Sequence, residues 1–225
     1  MAIAIGDIHG CLRPLMRLIE RLPVDEELVF LGDYIDRGPD SAGVVNYLRE
    51  LHRERACRFL KGNHEDMMWN AIEDANEIAV WLINGGQATL ESYGVRRGQW
   101  SNGQERGAFL TEHADFFERL DIYYENEHTI FVHAGVDVTI PDMACQSPQV
   151  LMWIREGFHR NAQQWQGKEI IFGHTPTRYM GLSGKDIFRS GRVYGIDTGC
   201  CYGGYLTAID ARTHEVYQEA SDFSY

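Results

Sequence analysis

The sequence predicts an α/β fold of the mixed (α+β) type, in which short buried strands alternate with amphipathic helices. Apolar runs of strand length recur along the 225 residues and carry β-branched and aromatic side chains. The segments between the first runs show the spacing of helix faces, and several runs end in a cluster of Gly with Asp, His or Asn. These observations favour one layered domain over residues 1–225, with a mixed sheet or two packed sheets.

Each element follows from its own pattern. Leu12, Leu15 and Ile19 share one helix face, with Pro14 in the first turn. A second helix is expected around 44–51, and a mostly helical stretch at about 65–83 begins a helical insert at about 65–118. The predicted strands are 2–5, 28–31, 57–60, 129–132, 170–172, 193–196 and 205–210, the last of which we expect to be the final strand.

Composition excludes some functions. The net charge of -12 argues against a nucleic-acid polymer as partner, and it suits a protein whose carboxylates are neutralised by bound cations. The five cysteines are irregularly placed, which favours reduced thiols and a cytoplasmic location. We expect no signal peptide, and no membrane partner because no apolar run approaches the roughly 20 residues of a span. The oligomeric state stays open.

Metal-ligating residue types follow the predicted strands. Asp7 and His9 are one residue apart, so an extended segment points both side chains the same way. Asp33 can bridge two cations through its two oxygens. Further oxygen and nitrogen donors come from Asn63, His133 and His174. Because ligands collect beyond the carboxyl ends of strands, these residues predict a site for Mn, Fe, Zn or Mg.

Such a site suits phosphate ester hydrolysis. Two cations about 3.5–4 Å apart would clamp a phosphate and activate a bridging water for direct attack. His64, beside Asn63, is the expected general acid that protonates the leaving group, and Asp36 is expected to hold its other ring nitrogen. Arg37 is well placed for bidentate contact with the phosphate.

The motifs resemble a known family when they are taken together. They look like the signature of the phosphoprotein phosphatase family of calcineurin-like metallophosphoesterases, and further segments resemble its small bacterial and bacteriophage lambda type members. The motifs are Asp7-Ile8-His9-Gly10, Gly32-Asp33-x-x-Asp36-Arg37-Gly38, Gly62-Asn63-His64-Glu65, His133-Ala134-Gly135 and Gly173-His174. The further segments are Glu65-Asp66-Met67-Met68, Trp81-Leu82-Ile83-Asn84-Gly85-Gly86, Trp153-Ile154-Arg155-Glu156, Phe172-Gly173-His174-Thr175-Pro176 and Ile196-Asp197-Thr198-Gly199.

This resemblance implies a β-sandwich flanked by helices and a division of roles. One metal would be bound by Asp7, His9 and Asp33. The other would be bound by Asp33, Asn63, His133 and His174. The resemblance adds Arg155 to Arg37 and Asn63 as phosphate-binding residues, and it favours Mn. The implied activity is that of a phosphoric monoester hydrolase, a Ser/Thr or dual-specificity protein phosphatase acting on phosphorylated proteins, peptides or small phosphoesters.

Two alternatives remain open at this stage. The segment from Asp197 to Gly204 resembles the tail of symmetrical diadenosine tetraphosphate hydrolases, but the Asp36-Arg37 pair and Glu65 favour the protein phosphatase type. A catalytically inactive binding protein on the same fold is the remote alternative. Substrate specificity is expected to come from residues 75–118 and 139–160.

Overall fold

Two mixed five-stranded sheets form the centre of the protein, whose computed structural model describes residues 2–95 and 110–223. The first sheet has the order β10-β9-β1-β2-β3, and the second has the order β4-β5-β6-β8-β7. The strands are β1 Ala2–Ile5, β2 Glu27–Phe30, β3 Cys57–Phe59, β4 Tyr123–Glu125, β5 Thr129–Val132, β6 Glu169–Phe172, β7 Phe188–Ser190, β8 Val193–Gly195, β9 Tyr205–Asp210 and β10 Val216–Ala220.

The central strands of both sheets are parallel and buried. β1 pairs with β2 and β2 with β3 in parallel, as do β5 with β6 and β6 with β8. Antiparallel strands lie on the β1 side of the first group and on both sides of the second. Since parallel strands are covered on both faces, they appear in sequence as continuous apolar runs, and this is why the runs were recognisable.

Alternating side chains divide the interior into three layers. The cluster between the sheets includes Ala4 and Val29 from one sheet and Phe131 and Ile171 from the other. The opposite faces of the same strands pack under helices, with Ile3 among the residues on the outer side of the first sheet. The protein is therefore a β-sandwich with helices on both sides, as the family resemblance implied.

Helices follow most strands in the first half of the chain. The α-helices of the described residues are α1 Leu12–Arg21, α2 Ser41–Glu54, α3 Asn63–Glu73, α4 Ile78–Trp81, α5 Gln87–Ser92, α6 Ala114–Phe117, α7 Pro148–Trp153 and α8 Glu156–His159. A π-helical turn, Leu82–Gly86, joins α4 to α5. The stretch predicted as mostly helical at 65–83 is α3, a 3-10 turn and α4, and it begins two residues earlier than expected. Part of the predicted insert, residues 96–109, lies outside the described residues.

One strand prediction was wrong, because Tyr205–Asp210 is not the last strand. β10 follows it and pairs antiparallel with β9 from Val216 to Ala220. All five cysteines are free. Of the helices within residues 2–95 and 110–223, none combines the length and the apolar character that a membrane span requires.

Candidate metal centre

The parallel strands bring the expected ligands to one edge of the sandwich. Asp7 follows β1 and Asp33 follows β2, while Asn63 begins α3 shortly after β3. From the second sheet, His133 directly follows β5 and His174 lies two residues beyond β6. All five side chains are buried. The carboxyl ends of parallel strands thus collect the polar groups at a shared edge.

Asp33 lies between two clusters of ligating atoms. Its Oδ2 is 3.5 Å from His9 Nε2 and 4.0 Å from His64 Nε2. Its Oδ1 is 3.5 Å from His133 Nε2, in the cluster that also contains His174. One carboxylate therefore faces two groups of imidazoles, which is the arrangement expected of a residue that bridges two cations.

The second cluster has the spacing of atoms that share one cation. Asn63 Oδ1 lies 2.8 Å from His174 Nδ1 and 3.0 Å from His133 Nε2, and the two imidazole nitrogens are 3.2 Å apart. Ligands at about 2.0–2.1 Å from a metal are separated from one another by about 3 Å. The residues present therefore fit a divalent metal.

Backbone carbonyls fix two of the imidazoles in a ligating form. His9 Nδ1 donates to Ile35 O at 2.8 Å, and His133 Nδ1 donates to Leu31 O at 2.9 Å. Each ring therefore keeps a lone pair on Nε2, directed at the site. Burial lowers the pKa of both rings below the usual range of histidine, so they are neutral and able to bind a metal.

The structure puts Asp7 near the site but in neither cluster. Its carboxylate accepts the His174 backbone N–H at 2.9 and 3.0 Å. Burial, followed by the charges of Asp197 and Asp33, raises the pKa of Asp7 well above its usual value. Burial also raises the pKa of Asp197 to about 6. Several buried carboxylates close together call for a cation, but the role of Asp7 as a ligand stays a prediction.

Two motif glycines make room for these carboxylates. A Cβ on Gly62 would lie 2.1 Å from Asp33 Oδ1, and one on Gly173 would lie 2.1 Å from Asp7 Oδ1. Neither position accepts a side chain without displacing a buried carboxylate. Steric exclusion of a Cβ therefore explains why glycine precedes both Asn63 and His174.

The backbone of the site is unusual. Non-glycine residues with positive φ are uncommon and cost free energy, and they cluster at functional sites. Five of the six in the described residues belong to the expected site: His9 (46°), Asp33 (53°), Asp36 (72°), Arg37 (67°) and His174 (66°).

Glu65 supports the site from the first turn of α3. Its carboxylate accepts backbone N–H groups of Asp33 at 2.9 Å, Tyr34 at 2.8 Å and Gly62 at 3.0 Å. Burial and the charge of Asp33 raise the pKa of Glu65 to about 8, against the opposing effect of these donors. Glu65 thereby ties the loop after β2 to the start of α3.

His64, which belongs to the first cluster with His9 and Asp33, forms a buried pair with Asp36. His64 Nδ1 is 2.6 Å from Asp36 Oδ2, while its Nε2 is the nitrogen directed at Asp33. The His64 ring packs edge-on against His9 at 4.6 Å between centroids. This is the geometry expected of an imidazole that is oriented by a carboxylate and exchanges a proton at its other nitrogen.

The two arginines differ in their surroundings. Arg37 is half-buried, and its Nη1 contacts His9 Nε2. Arg155 is exposed at the start of α8. Its charge acts on His133 and His174, whose pKa values it lowers in addition to the larger effect of burial. Arg155 therefore lies near the second cluster. The spacing of residues in the sequence does not predict this position.

Sequence reasoning missed four side chains around the site. Trp81 and Thr89 hydrogen-bond to Asp36 from the helical insert. The Arg37 guanidinium carbon lies 5.3 Å from the centroid of the Tyr202 ring, and that of Arg178 lies 4.5 Å from the same centroid. Trp81 lay in a motif that carried the resemblance, but only the fold reveals its contact with a residue 45 positions away.

Comparison with known proteins relates nearly the whole chain to phosphoesterases. Residues 2–209 match the calcineurin-like phosphoesterase family. Serine/threonine-protein phosphatase 1 of Salmonella typhimurium is 31% identical over 219 residues, which cover 90% of this chain and 88% of that protein. The asymmetrical bis(5'-nucleosyl)-tetraphosphatase PrpE of Bacillus velezensis is 27% identical over 248 residues, with coverages of 98% and 93%. A solved structure of a candidate diadenosine tetraphosphatase has a TM-score of 0.69 and 20% identity, covers 99% of this chain and 94% of its own, and shows a shared fold.

Proposed function

Because the chain belongs to the calcineurin-like phosphoesterase family, we propose that it hydrolyses phosphate monoesters at a site for two divalent cations. The observation that carries this proposal is the position of Asp33 between two clusters of buried imidazoles, one of which includes His64, the partner of Asp36. We assign cation binding to Asp7, His9, Asp33, Asn63, His133 and His174. Bound cations would supply Lewis acidity and a water of lowered pKa, and Mn is our choice of metal.

His64 is the proposed general acid. Asp36 accepts the Nδ1 proton of the ring and stabilises the imidazolium, so the proton for the leaving oxygen is held at Nε2. Since Nε2 is the nitrogen on the Asp33 side, the proton and the ligand clusters face the same space. The leaving alkoxide of a phosphoseryl or phosphothreonyl ester needs such a proton.

Arg37, Arg155 and the Asn63 amide are the proposed donors to the phosphate oxygens. A guanidinium offers two parallel N–H groups, which match two oxygens of one phosphate. Arg37 also contacts His9 Nε2, the atom that we assign to a metal. We therefore expect the Arg37 guanidinium to leave His9 and turn to the phosphate when the site is loaded.

A cytoplasmic phosphoprotein phosphatase is our first candidate for the physiological function. The 31% identity to a protein named as a serine/threonine phosphatase supports it, as does the adjacent Asp36-Arg37 pair. Phosphoserine or phosphothreonine would then present the phosphate to the site.

Hydrolysis of a nucleoside polyphosphate is the second candidate for the physiological function, and one observation favours it. Arg178 is exposed, lies over the ring of Tyr202, and donates to Tyr179 Oη at 3.1 Å. Within residues 2–95 and 110–223 it forms no ion pair with a carboxylate. Tyr202 also contacts Arg37, so a second cation and two aromatic rings adjoin the proposed phosphate site. PrpE is named for the asymmetrical reaction, whereas the sequence motif suggested the symmetrical one.

A substrate panel tests these candidates. The chelated protein should be inactive on p-nitrophenyl phosphate, and added Mn should restore activity. Preference for a phosphothreonine peptide over a dinucleoside tetraphosphate would support the first candidate, and the reverse preference would support the second. Arg178→Gln should then weaken only the dinucleotide reaction. Arg189→Gln is the matched control, because Arg189 is an exposed arginine over a different ring, that of Tyr194. No turnover of any ester with or without Mn would leave the inactive binding protein as the function.

A further inference from the structure

The helical insert surrounds the Asp36 carboxylate with donors. Trp81 Nε1 lies 2.9 Å from Asp36 Oδ2 and 3.1 Å from Oδ1. Thr89 Oγ1 donates to Asp36 Oδ1 at 2.6 Å and accepts the Asp36 backbone N–H at 2.9 Å. Trp81, Thr89 and Asp36 are each fully buried. Every one of these bonds joins the insert to the residue that orients His64.

The same insert holds the neighbouring residue through its π turn. Gly85 O accepts the Arg37 N–H at 3.2 Å. A Cβ on Gly85 would lie 2.8 Å from Arg37 N, and one on Gly86 would lie 2.6 Å from the Trp81 ring. The two glycines that end the Trp81-to-Gly86 motif therefore let the turn approach Arg37 on one side and pack under Trp81 on the other.

The residues held in this way need support, because both have left-handed backbone conformations. Asp36 has φ of 72° and Arg37 has φ of 67°. Such a conformation persists in non-glycine residues only where surrounding contacts impose it. Here Trp81, Gly85 and Thr89 of the insert supply such contacts, and Ser41 Oγ of α2 also accepts the Asp36 N–H at 3.1 Å.

We propose that Trp81, Gly85 and Thr89 are positioning residues that hold Asp36 against His64 and Arg37 towards the phosphate. This inference rests on the proposed function of His64 as general acid. The donors of Trp81 and Thr89 occupy the lone pairs of Asp36 that His64 does not use, so the carboxylate keeps one orientation. The insert, expected from sequence to determine substrate choice, is then part of what makes the acid work.

Leaving-group dependence tests the proposal. Trp81→Phe and Thr89→Ala should each lower kcat for an alkyl phosphate about tenfold, a typical loss for a residue that orients a functional group. The loss for p-nitrophenyl phosphate should be smaller, since its leaving group hardly needs a proton. Thr89→Ser keeps the hydroxyl and should restore the alkyl reaction.

Ser92→Ala is the matched control on α5. Ser92 Oγ accepts the Ala42 N–H at 2.9 Å and so joins the insert to α2 without touching Asp36. It should leave the ratio of alkyl to aryl turnover unchanged. Equal losses for both esters in Trp81→Phe and Thr89→Ala, or a shift of the ratio in Ser92→Ala, would overturn the positioning role.

A spectroscopic readout separates this inference from the proposed function. In chelated protein the His64 Nδ1 proton, bonded to Asp36, should give a slowly exchanging downfield signal that is absent from His64→Ala. Thr89→Ala and Trp81→Phe should shift or remove this signal, and Thr89→Ser should retain it. If the signal responds but no ester is hydrolysed, the positioning stands and the proposed function fails. If esters are hydrolysed but the signal is unchanged in both variants, the positioning fails alone.

Discussion

Buried charge sets the chemistry of the site at the scale of single residues. Burial alone would raise the pKa of Asp33, but His133, His64, His9 and Arg37 together hold it well below its usual value. The His64 backbone N–H also donates to Asp33 Oδ1 at 3.0 Å, from the N-terminal turn of α3. Asp33 therefore stays ionised, as a carboxylate that binds a divalent cation must be.

His64→Ala is the substitution that tests the acid. We expect kcat for an alkyl phosphate to fall by roughly 10²–10⁴-fold, the usual contribution of general acid catalysis. The fall should be much smaller for p-nitrophenyl phosphate, and metal content measured by elemental analysis should not change. Asp33→Ala should instead lose the metal itself. Equal losses for alkyl and aryl esters in His64→Ala would remove the acid assignment.

His159 should make the fold sensitive to acid. Its ring stacks on Phe172 at 5.6 Å between centroids, and its Nε2 has no hydrogen-bond partner among the described residues. Burial, with a further contribution from Arg155, lowers its pKa from 6.5 to about 4. Between these values the unfolded chain binds a proton that the folded chain does not. The stability that neutral His159 contributes is thus present above pH 6.5 and is lost as the pH falls towards 4.

His159→Phe should remove part of this dependence. Urea unfolding over pH 4–7 should show a smaller slope of the unfolding free energy against pH than the parent protein. The difference should be less than one proton, because the ring is partly exposed to solvent. His128→Phe is the control, since the His128 side chain is 80% exposed. Identical slopes for His159→Phe and the parent would contradict the prediction.

At the scale of elements, strand ends determine where the ligands lie, and turns determine how they point. β1, β2, β5 and β6 were predictable because burial on both faces leaves an unbroken apolar run. β4, β7 and β10 are partly exposed, and their sequences (Tyr-Tyr-Glu in β4) carry no such run. They form because neighbouring strands offer free edges, which local sequence does not encode.

The same distinction applies to the site. Asp33, Asn63, His133 and His174 were predictable because each follows a recognisable strand. The left-handed backbone of these loops and the contacts of Trp81 and Thr89 with Asp36 were not. The left-handed backbone depends on hydrogen bonds such as those that Glu65 accepts. The contacts with Asp36 join residues that are 45 positions (Trp81) and 53 positions (Thr89) away in the chain.

Glu65→Gln tests the link between the β2 loop and α3. Both side-chain oxygens of Glu65 accept backbone N–H groups, whereas a Gln has one oxygen and one NH2 group, so at least one buried N–H loses its acceptor. We expect a loss of about 1–3 kcal/mol in the unfolding free energy of the metal-free protein. Affinity for Mn, measured by calorimetric titration, should fall about 10–100-fold because Asp33 is no longer held in place. Glu73→Gln, at the exposed end of α3, should change neither quantity; an equal effect there would contradict this role for Glu65.

At the scale of the whole molecule, the site lies where the two sheets meet. Asp33 and Asn63 come from the first sheet and its connections, and His133 and His174 come from the second. The sheets already touch here through His133 Nδ1 and Leu31 O, and through the His174 N–H and Asp7. A cation bound to both groups would therefore act as a cross-link between the halves of the sandwich.

Metal binding should accordingly stabilise the entire fold. A cation that binds only the folded state at about 100 times its Kd adds about 2.7 kcal/mol to the unfolding free energy. For a chain of this size each kcal/mol corresponds to about 2–4 °C in Tm, so calorimetry should show a rise of about 5–10 °C with Mn. Chelation should reverse it. Because Asp33 lies between both clusters, Asp33→Asn should lose most of this rise. The metal-free Asp33→Asn protein should also be less stable than the metal-free parent, because the lowered pKa of Asp33 means that the folded state favours its ionised carboxylate. If Mn raised the Tm of Asp33→Asn as much as that of the parent, the stabilising ion would bind elsewhere on the surface. The net charge of -12 attracts cations to the protein even where no specific site exists.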